Sequence, residues 1–96
     1  MAKGYWISSH RTKADADKHA AYVRLAIPAI EKAGGRFLIK GGSITAKENG
    51  LAERTVVIKF PSYQDAQLAY NSEEYQLALK ELDGGSDRDL RIVEGV

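Results

Sequence analysis

The sequence predicts an α+β fold of the ferredoxin-like kind, βαββαβ, with a four-stranded antiparallel sheet and two helices on one face. Three observations carry this expectation. Four short runs rich in aromatic and β-branched residues alternate with two long stretches whose apolar residues recur at helical spacing. Gly34-Gly35 and Gly84-Gly85 close the two helical stretches, where glycine takes a left-handed stop position at little cost. Asn49-Gly50, the strongest hairpin signal in the chain, lies between the two middle strands.

Each element follows from its residues. Lys3 to His10, KGYWISSH, reads as a first strand, and Thr12 or Asp15 is placed to cap the helix after it. Ala20, Val23, Ile27 and Ile30 mark that helix from about Ala16 to Ala33, with a kink or restart expected at Pro28. RFLIKGG is the second strand, SITAKENGLAE extends it and turns at Asn49-Gly50, and RTVVIKF, residues 54–60, is the third strand. Pro61 stops the third strand, and Ser62 with Asp65 resembles a capping box. Helix is expected from Tyr63 to Tyr70, a joint at Asn71-Ser72, and helix again from Glu73 with Tyr75, Leu79 and Leu82 as its seam. LRIVEGV is the last strand.

Composition narrows the function. Ninety-six residues make one domain over 1–96, and a chain this short buries only roughly 60–65% of its unfolded surface, so pairing with a second copy is a natural remedy. Fourteen basic against thirteen acidic side chains leave +1, which removes the electrostatic argument for nucleic acid or an anionic membrane. The chain has no cysteine, which excludes disulfides, iron–sulfur clusters and thiolate metal sites. No apolar run approaches the length of a membrane span, and a cytoplasmic location is expected. No histidine–carboxylate spacing resembles a metal site, so neither metal nor cofactor is expected. An RNA-recognition module shares the topology, but RTVVIKF lacks its alternating aromatics.

Strand alternation assigns faces. Val56, Ile58 and Phe60 look toward the helices, opposite Thr55, Val57 and Lys59. Phe37 and Ile39 oppose Arg36, Leu38 and Lys40, and Tyr5 and Ile7 oppose Trp6, Ser8 and His10. The face without helices is expected to carry Trp6, Leu38, Val57 and Val93, a patch suited to homodimerisation. Four residues are ligand candidates for a small organic molecule, an anion included. Trp6 and Tyr70 supply apolar walls, Arg36 (with Lys40 and Arg54 nearby) an anion partner, and His10 an acid/base group near neutral pH. A plain surface histidine is the competing reading of His10, and the remaining histidine, His19, lies on the first helix. Ser8, Ser9 and Ser43 have no base partner in sequence, which argues against a serine hydrolase.

AGGRFLIKGG, RTVVIKFPSYQDAQLAYNSEEYQ and the closing RIVEGV closely resemble the family of domains of unknown function numbered 1330, over nearly the whole chain. The resemblance implies membership of the dimeric α/β-barrel superfamily, in which two ferredoxin-like protomers pack sheet to sheet. That superfamily includes cofactor-independent monooxygenases, haem-degrading enzymes, muconolactone-type isomerases and stress-response proteins. The resemblance supplies no reaction; the expected function is a homodimeric small-ligand-binding domain of unknown activity, oxygenase- or isomerase-like if it is an enzyme. The alternative is a non-enzymatic dimerisation module. At the helical joint the family typically has a tryptophan–tyrosine pair; Tyr70 is kept here and Ala69 stands at the tryptophan position. Lys80 is the nearest basic residue to an arginine usual near the end of the second helix.

Overall fold

The computed structural model of the chain describes residues 2–96. Strand β1 (Gly4–His10) leads into helix α1 (Ala16–Lys32), followed by β2 (Arg36–Lys40), β3 (Thr55–Phe60), α2 (Tyr63–Tyr70), α3 (Glu73–Leu82) and β4 (Arg88–Glu94). All pairings are antiparallel, in the order β2-β3-β1-β4. This is the ferredoxin-like α+β arrangement, with the second helical stretch divided in two at Asn71-Ser72.

Local chemistry explains the helix ends. Asp15 accepts a hydrogen bond from the Lys18 amide at 2.9 Å and caps α1. Ser62 does the same for the Asp65 amide at 3.0 Å. Ser72 works in both directions: its hydroxyl donates to the Ala69 carbonyl at 2.8 Å and accepts from the Tyr75 amide at 3.2 Å. One side chain thus ends α2 and starts α3. Pro28 lies inside α1, yet the helix runs unbroken from Ala16 to Lys32, so the expected restart is absent.

The core lies between the helices and one sheet face. Trp6, Ile58 and Phe60 from the sheet meet Tyr22, Ala26, Ile30, Ala66, Tyr75 and Ala78 from the helices. Trp6 corrects the face assignment made from sequence. It is 2% exposed and points toward the helices, because β1 places it opposite Ile58 and Ile92, both of which face that way. Alternation fixes which residues of β1 share a side, but the cross-strand partners decide which side that is. The indole N–H donates to the Ala66 carbonyl at 2.7 Å, which satisfies the one polar atom of a ring otherwise suited to burial. At Gly4 there is no room for a side chain, since a Cβ would run into the Ser62 and Tyr63 backbone.

Strand β2 departs from strict alternation. Its register with β3 shifts between Phe37 and Ile39, a bulge at Leu38. Phe37 therefore faces the helices opposite Ile58, Ile39 joins Val57 on the open face, and Lys40 returns to the helix side opposite Val56. Beyond Lys40 the expected strand extension is replaced by an irregular connection, residues 41–54. It does turn at Asn49-Gly50, where the Gly50 amide donates to the Lys47 carbonyl at 2.8 Å, but the turn does not join paired strands. The last strand begins at Arg88, two residues earlier than its apolar pattern indicates.

Candidate functional site

Register builds the site row by row on the helix-facing side of the sheet. Trp6 lies between Ile58 and Ile92, Ser8 between Val56 and Leu90, and His10 beside Arg88. The His10 amide also donates to the Arg54 carbonyl at 3.0 Å, which brings the end of the 41–54 connection to the same row. Across the gap, α1 supplies His19 and Tyr22 opposite the His10 end and Ile27 and Ile30 opposite the Trp6 end. The result is a cavity of about 50 Å³ with one apolar end and one end of cationic and titratable groups.

Arg88 dominates the polar end. Its guanidinium donates to the Tyr22 hydroxyl at 3.2 Å and the Tyr75 hydroxyl at 3.1 Å, and these two hydroxyls lie 2.7 Å apart. The guanidinium carbon also lies 4.9 Å from the centre of the Tyr22 ring. Two of its five N–H donors are thereby used. Among the described residues, the ion pairs are Arg11–Asp87, Lys18–Asp83, Lys32–Glu74 and Arg91–Asp89, all away from the cavity. Arg88, Arg54 and Lys40 thus surround a partly desolvated space with no carboxylate in an ion pair to them. A chain with a net charge of only +1 concentrates positive charge here.

The two imidazoles register that field. His10 is 5% exposed and its ring packs edge-on to that of His19, centres 5.7 Å apart. Burial lowers the His10 pKa most, and His19, Arg88 and Arg54 lower it further against a small opposing effect of Glu53. His19 is lowered in the same way, by burial first and then by Arg54 and Arg88. Both are therefore neutral at pH 7. Burial pushes the Tyr75 hydroxyl well above the usual phenol range, so it stays protonated beside Arg88. Ser8, 5% exposed and in the middle row, has a hydroxyl with no hydrogen-bond partner among the described residues.

Of the four ligand candidates named from sequence, the structure brings two to the cavity. Trp6 forms its apolar end and His10 its polar end. Arg36 is exposed on the opposite sheet face, paired with Lys59, and does not line the cavity. Tyr70 packs its ring against Trp6 and Tyr75, at 5.8 and 5.3 Å between centres, behind the cavity wall. Arg88, His19, Tyr22 and Ser8 also line the cavity and were not among the four ligand candidates; Tyr22 reads from sequence as a helical tyrosine able to line a pocket but more often plain core. The signal for Arg88 was its alternation with Leu90 and Ile92, which puts all three on one strand face.

Fold and site together define a small ferredoxin-like domain with a cationic cavity beneath its first helix. The chain belongs to the family of domains of unknown function 1330, whose model matches residues 3–96. No curated protein matches it significantly in sequence. Among solved structures, it is similar to a protein of unknown function from Rhodopseudomonas palustris, with 17% identity over 99% of this chain and 83% of that one and a TM-score of 0.73. A Bacillus halodurans member of the ethyl tert-butyl ether (EthD) family superposes over the whole of both chains with a TM-score of 0.60 and 12% identity. A dimeric ferredoxin-like protein of unknown function from Thermobifida fusca gives 0.54 and 15%, over 97% of this chain and 91% of that one. At these identities the likeness is one of fold.

Proposed function

We propose that this chain is a homodimeric domain that binds a small organic anion in the cavity between α1 and the sheet. The observation that carries this is the gathering of half-buried Arg88 and Arg54, exposed Lys40 and two neutral histidines around a half-open cavity, with no acid in an ion pair to these cations among the described residues. Desolvated positive charge is costly unless compensated, and an anionic guest supplies the compensation. The apolar end calls for a guest with a short hydrocarbon part. A water-sized group takes roughly 10–15 Å³ in such a space, so about 50 Å³ accepts roughly four of them. A small carboxylic acid fits that description better than a phosphate ester, whose usual cradle of backbone amides has no counterpart in the sequence.

Dimerisation rests on the open sheet face. Ile7, Ile39 and Val93 are exposed there, with Tyr5 and Val57 half-buried beside them. The Thermobifida fusca neighbour, described as dimeric, supports pairing of this kind. A module that serves pairing alone would have an unbroken dry core under its helices, and the cavity argues for the ligand instead.

Calorimetric titration with small carboxylates tests the binding site. A hydrogen bond to a charged group contributes about 1.5–3 kcal/mol, so Arg88→Gln should weaken binding at least tenfold. Arg36→Gln, on the far face, should leave it unchanged. Equal effects of the two substitutions would contradict the site.

A further inference from the structure

We propose that the cavity catalyses proton transfer at a carbon next to a carbonyl, with a small 2-oxo carboxylate as substrate and His10 as the base. The inference rests on the anion-binding reading and adds an activity to it. Three features carry it beyond binding. A pure anion receptor needs cations and neutral donors; this cavity also holds two imidazoles, their ring planes 79° apart, with no carboxylate or carbonyl bonded to either ring among the described residues. An imidazole kept neutral beside fixed cations is an available base. The same cations stabilise the negative charge that appears when a C–H proton leaves, and they do so in a cavity partly shielded from water.

Ser8 supplies the third feature. Its buried hydroxyl lacks a partner and lies two residues from His10 on the same strand face, roughly 6.5 Å along the strand. A carboxylate held by Arg88 leaves the adjacent carbonyl oxygen within the span between these rows, where a hydroxyl donor is waiting for an acceptor. A simple carboxylate such as acetate has no oxygen to offer Ser8, which is why the substrate class is a 2-oxo acid.

The step balances without any oxidant or cofactor. A nitrogen of His10 takes the proton from the carbon next to the carbonyl. The C–H electron pair forms the new carbon–carbon double bond, and the carbonyl π pair moves onto oxygen as an enolate, held by the Ser8 hydroxyl and the Arg88 charge. The imidazolium returns a proton to the same carbon or to another position of the conjugated system. Meanwhile His19, half-buried and in ring contact with His10, is placed to exchange protons between His10 and water.

The test uses pyruvate as probe and the full chain in D2O, with methyl deuteration followed by proton NMR and binding followed by calorimetry. The expected result is binding together with methyl exchange at least tenfold faster than in buffer alone. Ser8→Ala should lower the exchange rate more than tenfold with a smaller effect on affinity. His10→Gln should abolish the excess exchange while pyruvate still binds. Binding by the wild-type protein without accelerated exchange overturns the activity and leaves the anion site standing. Absence of binding overturns both. Because the wild-type result decides between these, the proposal stays testable even if His10→Gln fails to fold.

Discussion

At the residue scale, the site is a contest between burial and charge. His10 and His19 are pushed toward neutrality by desolvation first and then by Arg54 and Arg88, and His10 is lowered by His19 as well. Two consequences follow from linkage. Both pKa values lie below 6.5 in the folded protein, so between the folded and unfolded values the unfolded chain holds more protons. Stability should therefore fall as pH drops through 6.5 and level off below the folded pKa values. Urea denaturation at pH 7.5 and pH 5 checks this. A bound anion reverses the field at the imidazoles and raises their pKa values, so binding takes up protons. Anion affinity should then strengthen as pH falls from 7.5 toward 6, measurable by titration in buffers of different ionisation heat. Weakening over that range would contradict the placement of the anion beside the histidines. His10 was legible as a candidate because its residue type is informative anywhere. Arg88 was not, since an arginine at a strand's edge ordinarily faces water, and only its register opposite His10 brings it inside.

At the element scale, the helices and the phase of β3 were legible, because capping groups and apolar spacing are local. Ser62 and Ser72 bond as their positions indicate. Ser72→Ala removes both the α3 cap and the tie back to α2, and should cost about 1 kcal/mol in a denaturation experiment, within the usual range for an N-cap. The sheet faces were less legible. The Leu38 bulge inverts the second half of β2, and no residue there announces it: a one-residue slip moves every later side chain to the other face. Lys40 joins the cavity and Ile39 the open face for this reason alone. Trp6 was misplaced for a related one. β1 alternates cleanly, but a Tyr-Trp-Ile sequence offers large apolar groups on both sides, and the phase is set by β3 and β4.

For the whole molecule, the sheet divides the chain's work. Its helix side carries the core and the cavity, and its open side carries Ile7, Ile39, Val57 and Val93. If two copies pair through that side, the wild-type protein should run at twice the 10.5 kDa chain mass in light scattering. Ile39→Glu, which introduces a charge on an exposed position, should shift it to the single-chain mass without loss of helical signal. The cavity lies on the other side of the sheet, so such a monomer should retain the anion site. The central claim is that site, and the chain offers a clean probe of it because it has only two histidines, both at the cavity. The most direct measurement is the pH titration of the imidazole Hε1 protons, one per histidine, by NMR with and without saturating pyruvate. Two resonances whose pKa values lie below 6.5 and both rise with pyruvate are expected. Two resonances whose titration is unmoved by pyruvate would contradict the account.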